Sequence, residues 1–291
     1  MFHSWFQWRL GWGLLSLALM LAGPVACSSA NEVPAANTPV TLSSSPNVDI
    51  TPLLTDVVYL GEQHDSEADH AAQLEIIQAL YAENPDMAIA LEMFQRPFQP
   101  VLDRYLAGEI SEADLVAQTE YERRWGFPWE YYAPVVRFAQ ENTLPVLALN
   151  APSEVVRQVA REGLGSLQAQ DFRYIPPLEA LDTSNIQYQD FVTAAFGGHS
   201  AHGELNFENF FAAQVVWDET MAATVAEFKQ ASPDTRVVVL AGSGHVMYGY
   251  GIPSRVARRL EAVTQTMVLL NPAEELLDEA SGVADVFWYG D

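Results

Sequence analysis

Four short apolar runs, each closed by polar residues, predict buried strands at Val57 to Leu60, Met87 to Leu91, Pro145 to Leu149 and Val237 to Ala241. Helical periodicity fills the intervals. Two later runs, Met267 to Leu270 and Val283 to Trp288, predict further strands, with a short acidic helix at Ala273 to Glu279 between them. Alternating strands and helices specify an α/β fold: a mainly parallel sheet flanked on both faces by helices. Gln95 to Glu141 is longer than one crossover helix and predicts a helical insertion. Residues 163–206 lack clear periodicity and carry Pro176-Pro177 and Gly197-Gly198, so an irregular lid region is expected there.

The first fifty residues follow another pattern. One basic residue, Arg9, precedes an uncharged stretch from Leu14 to Ala22, and small residues lead into Gly23-Pro24-Val25-Ala26-Cys27. This layout predicts a signal peptide over residues 1–26. Cys27 is then the acceptor of a lipid anchor that holds the protein to a membrane without spanning it. Cleavage after Ala30 without lipid, or retention as a transmembrane anchor, are the alternatives. Residues 27–50 are rich in Ser, Asn, Pro and Thr and predict a flexible linker. Residues 51–291 are enough for one α/β domain.

Charge narrows the partners. With 14 basic residues against 38 acidic ones, the net charge of −24 excludes nucleic acid. Only Lys229 is lysine; the other basic residues are arginine, which favours planar contacts to carboxylates over diffuse positive charge. A single cysteine excludes an internal disulfide.

Candidate chemistry gathers where the strands end. Gly61-Glu62-Gln63-His64, Glu92-Met93-Phe94, Asn150 and Gly242-Ser243-Gly244-His245 follow four successive runs, and in a parallel sheet these ends share one edge. Glu62 and His64, two apart in extended backbone, point to the same side. Asp65 or Ser66 caps the next helix, whose apolar stripe runs back from Tyr81 through Gln73 to His70, so His70 faces the sheet as a core or a site residue. A helix from Phe207 carries Phe210, Phe211, Trp217, Met221 and Val225 on one stripe that also holds Asp218, while Glu219 falls toward solvent. A carboxylate on such a stripe needs a partner. Past His245, Tyr248 and Tyr250 lie among glycines, and either phenol could ligate ferric iron. His199 and His202 are further candidates on a loop.

These motifs, in order over residues 55–262, resemble the ChaN-like haem-binding proteins of the Tiki and erythromycin-esterase superfamily. The resemblance runs through Gly61-Glu62-Gln63-His64-Asp65, Leu91-Glu92-Met93-Phe94, Leu149-Asn150-Ala151-Pro152, Gln214 to Ala222, and Gly242-Ser243-Gly244-His245 with Tyr248 and Gly251-Ile252-Pro253. It implies an exported lipoprotein of the bacterial cell envelope, associated with haem or iron acquisition, in a family where some members hold haem between paired subunits through tyrosine. Glu62, His64, Glu92, Asp218 and His245 match the shared site. Two readings follow. In the first, His64, His70, Asp218, His245, Tyr248 and Tyr250 surround haem, with Trp125, Phe127 and Trp129 as walls. In the second, Glu62, His64 and Glu92 are catalytic in a hydrolase, acting alone or with a zinc or manganese ion held by Glu62, His64, Asp218 and His245.

Overall fold

The computed structural model describes residues 38–45, 48–197, 206–274, 276 and 282–290. Chain order runs β1 (Val40–Ser43), β2 (Val57–Glu62), α1 (Glu67–Glu83), β3 (Met87–Gln95), then four helices α2 (Gln99–Leu106), α3 (Glu112–Gln118), α4 (Tyr121–Arg124) and α5 (Trp129–Glu141). It continues through β4 (Val146–Asn150), α6 (Ser153–Glu162), α7 (Ile186–Gly197), α8 (Phe207–Ala231), β5 (Arg236–Gly242), α9 (Ile252–Arg259), β6 (Gln265–Leu270) and β7 (Val286–Tyr289). Among the described residues all seven strands are parallel, in the order β1-β7-β6-β2-β5-β3-β4.

Alternation along the strands sorts the core into two layers. Val58, Leu60, Ile89 and Leu91 face one side, where α1 and the α2–α5 insertion pack through Ile76, Leu80, Leu102, Tyr132 and Val136. Val57, Tyr59, Ala90, Val237 and Val239 face the other, against Met221, Ala222 and Val225 of α8 and Ile252 and Val256 of α9. A third cluster joins α6, α7 and the first half of α8, so the expected lid has a small core of its own. That lid is short 3-10 turns around Leu164–Ser166, Asp171–Arg173 and Leu178–Ala180, followed by α7.

Two expectations need correction. Val40–Ser43, placed in the flexible linker, pair in register with Val286–Tyr289 at the sheet edge. The Ser44 hydroxyl reaches Glu75 Oε1 at 2.7 Å. A four-residue strand with one buried neighbour has too little pattern to be read locally; the open edge of β7 creates it. The last strand also begins later than Val283, whose carbonyl instead accepts the Tyr248 N–H at 2.8 Å. The expected acidic helix at 273–279 lies mostly outside the described residues, as do Cys27, His199 and His202.

Candidate functional site

β2, β3 and β5 lie side by side at the centre of the sheet, so their carboxyl ends bring Glu62, Glu92 and Gly242 together. Glu62 is the last residue of β2 and is buried. Its Oε1 meets His64 Nδ1 at 2.7 Å and accepts the Tyr132 hydroxyl of α5 at 2.5 Å, while Gln73 of α1 donates to Oε2. Three partners satisfy a carboxylate that water cannot reach. Ser66 caps α1 by accepting the Asp69 N–H, and Asp69 Oδ2 in turn accepts the Gln63 N–H at 2.7 Å, which fixes the backbone that carries His64. Trp125 and Phe127 wall the His64 ring, with centroids 4.8 and 5.0 Å away.

A second pair repeats this arrangement from the other face. Asp218 of α8, fully buried, holds His245 Nδ1 at 2.7 Å through Oδ1 and accepts the Tyr188 hydroxyl of α7 at Oδ2. Glu92 lies between the two pairs. The β3–β4 register shifts between Leu91 and Gln95, and this irregularity holds Glu92 with Oε2 on the Gly242 N–H at 2.8 Å and Oε1 3.6 Å from His245 Nε2. Gly242 is required: a Cβ there would lie 2.9 Å from His64 Cε1 and Nε2.

The charges explain the proton affinities. Burial draws His64 down, but the Glu62 hydrogen bond and the charges of Glu92 and Glu62 outweigh it, so its pKa stands above the ordinary value. His245 is likewise opposed by burial, yet Glu92 and Asp218 push it up to about 9. Burial raises Glu62, and the His64 bond, the neighbouring imidazoles and Tyr132 more than reverse this, leaving it below the usual carboxylate range. Both phenols, buried against a carboxylate, are held protonated. The centre therefore offers imidazoles with Nδ1 committed and Nε2 turned inward, an arrangement suited to proton transfer.

Several expected residues take other roles. His70 does not enter the centre: Nε2 faces the His64 carbonyl at 3.1 Å, Nδ1 faces Gln73 Oε1 at 3.2 Å, and its ring stacks on Tyr131. With each nitrogen facing a protein oxygen, His70 braces His64 instead of reaching a ligand. The four expected metal ligands form two carboxylate–imidazole pairs, each carboxylate further bound by a phenol, and no group of three or more such side chains suited to a metal ion occurs among the described residues. Trp129 is no wall either; its Nε1 donates to Glu112 at 2.8 Å. Glu219, expected at the surface, is fully buried, ion-paired to Arg258 and Arg259 at 2.6 Å each and to Arg255 at 3.2 Å.

Tyr248 and Tyr250 stand beside the second pair, on the turn after His245. Their rings stack with centroids 5.4 Å apart, both half-buried, with Phe191 of α7 against them at 5.8 and 6.2 Å. Tyr248 has φ 58°, uncommon for a bulky residue, and its N–H bond to Val283 helps hold it there. Tyr132 and Tyr188 escaped the sequence reading, since nothing in the chain links them to carboxylates 70 and 30 positions away.

An all-parallel α/β protein with a polar centre and a phenol pair at the carboxyl ends of its strands is the class that fold and site define. The chain belongs to the family described as haem-binding uptake, Tiki superfamily, ChaN, whose sequence profile matches residues 54–256. It is 28% identical over 260 residues to Protein RETICULATA-RELATED 5, chloroplastic, of Arabidopsis thaliana, covering 80% of this chain and 34% of that one. The chain thus spans about a third of the length of that curated relative. Its fold is similar to that of ChaN of Campylobacter jejuni, from a structure on cofacial haem binding, with a TM-score of 0.59 and 21% identity over 79% of this chain and 86% of that one. A mutant erythromycin esterase in its open conformation is similar with a TM-score of 0.44 and 14% identity, covering 77% and 74% of the two chains.

Proposed function

We propose that this protein binds haem at the Tyr248–Tyr250 turn, and that it is exported and lipid-anchored to a bacterial envelope through Cys27, where it serves haem or iron acquisition. The stacked phenol pair carries the reading. A phenolate or an imidazole can serve ferric haem as axial ligand, and its ring packs on flat apolar surface. Here two half-buried phenols stand in a turn beside Phe191, so the donors fit. Tyr248 would hold the iron, Tyr250 and Phe191 would support the ring, and bound haem would supply the chromophore that reports it. Family membership and the cofacial haem binding of the Campylobacter jejuni relative support the same ligand.

Haemin titrated into the purified protein should give a saturable high-spin ferric spectrum with a phenolate charge-transfer band, and sedimentation should show whether copies pair. Non-saturable uptake without that band would sink the haem reading. Anchoring is tested by fatty-acid labelling, which should mark the wild type and leave Cys27→Ser unmarked.

The two carboxylate–imidazole pairs favour a second reading, a hydrolase in which Glu62 orients His64 and Glu92 faces the substrate. Hydrolysis of a panel of chromogenic esters, undiminished by chelator and abolished in His64→Gln, would support it; no turnover of any ester would count against it.

A further inference from the structure

Tyr132 and Tyr188 make the same bond to opposite halves of the centre, but they stand on unequal supports. α5 buries Tyr132, Ala133, Val135, Val136 and Ala139 in the main core. Among its described side chains α7 buries only Tyr188 and Val192, one turn apart, with Phe191 half-buried beside them. Ile186 at its start is 69% exposed. A helix of this length is marginal by itself, so these contacts help to hold α7 in place.

We propose that Tyr188 is a positioning residue for His245, and that α7, by docking this phenol on Asp218, completes the second half of the centre while the first half is complete without it. With Oδ2 occupied by the phenol, Asp218 has Oδ1 left for His245 Nδ1, and one fixed oxygen sets the plane of the imidazole and turns Nε2 toward Glu92. Without that donor the carboxylate could turn and present either oxygen, and more of its charge would fall on the imidazole. The Arg255 guanidinium of α9 lies over the Tyr188 ring, 5.0 Å from its centroid. The charged groups that face His245 are Asp218 from α8, Glu92 from β3, Arg255 from α9 and His64 from the turn after β2; Tyr188 acts on it through Asp218 alone. One turn along α7, Phe191 touches Tyr248 and Tyr250, so the helix that completes the pair also braces the phenol turn.

The inference rests on reading the centre as a proton-transfer site, but its test needs neither turnover nor haem. Imidazole resonances of the full chain, labelled with 15N at histidine, should be followed through a pH titration. Tyr188→Phe removes a donor from Asp218 and should move the His245 midpoint up by roughly half a unit or more, with the His64 midpoint unmoved. Tyr132→Phe should do the reverse. A ring-fluorinated tyrosine incorporated at position 188, nearly the same size and a stronger donor, should move His245 down, and it carries the test if Tyr188→Phe does not fold. Amide exchange in α7 should quicken in Tyr188→Phe while α5 keeps its protection. A His245 midpoint indifferent to both changes at 188, or a Tyr188→Phe effect that moves both histidines equally, would overturn the proposal. Shifted midpoints in a protein that hydrolyses no ester would sink the hydrolase reading and leave the positioning role standing.

Discussion

Glu92 Oε1 lies 3.6 Å from His245 Nε2, too far for a strong hydrogen bond and close enough for one charge to govern the other. Its second oxygen is fixed on the Gly242 N–H at 2.8 Å, so Glu92 holds its place without the imidazole and leaves Nε2 for a ligand or a proton.

That relationship makes stability depend on pH in the alkaline range. His245 stands at about 9 in the folded chain against an ordinary 6.5, raised by Glu92 and Asp218 over the opposing effect of burial. A raised imidazole contributes stability fully present below its unfolded pKa and lost as pH rises through its folded one. The denaturation free energy of the wild type should therefore fall between about pH 6.5 and 9 more steeply than that of His245→Gln, by on the order of 2 kcal/mol. Parallel curves would mean that the imidazole is neutral in the fold.

Glu62→Gln should cost about 3 kcal/mol or more, measured by urea unfolding at neutral pH. The amide cannot accept from Tyr132, Gln73 and His64 together, and it leaves buried donors unmatched. The wild-type contribution should also disappear in acid, because a depressed carboxylate loses its stabilising effect as pH falls through its folded pKa.

Two glycines separate function from folding. In Gly242→Ala the new methyl meets the His64 ring at 2.9 Å and pushes it from its place beside Glu62, so ligand binding or turnover should fall, with a smaller loss of melting temperature than in Gly251→Ala. In Gly251→Ala the methyl meets the His245 carbonyl at 2.3 Å and Asp218 Oδ1 at 3.0 Å. Backbone cannot yield so readily, and Gly251→Ala should lose most of its soluble folded yield. Equal melting temperatures for the two variants would contradict this assignment.

Tyr248→Phe should abolish the phenolate band of bound haemin, and Tyr250→Phe should weaken binding while keeping it. The reverse pattern would transfer the axial ligand to Tyr250 without affecting the family assignment.

Glu219→Gln should destabilise the fold by about 3 kcal/mol or more, because it strands the charge of Arg255, which is 2% exposed, with Arg258 and Arg259 beside it. Thermal unfolding in low and high salt checks it: a buried cluster is barely screened, whereas a surface pair would be.

By itself the sequence determined the strands that form the centre of the sheet, because Val57 to Leu60, Met87 to Leu91 and Val237 to Ala241 are continuous apolar runs that only a sheet covered on both faces can bury. It also placed Glu62, His64, Glu92 and His245 at one edge, since parallel strands end together. Tertiary structure alone decided who pairs with whom. Strand order sets β5 between β2 and β3, and no local pattern encodes that order. Helical phase misread Glu219 because one covered face was assumed, whereas α8 is packed by the sheet, α6, α7 and α9 around most of its girth, and both Asp218 and Glu219 end inside. His70 lay on the expected face, yet its partners came from the His64 backbone and Gln73. The phenols of Tyr132 and Tyr188 reach their carboxylates only when separate layers close over the strand ends, a contact set by packing between distant segments that short-range periodicity does not carry.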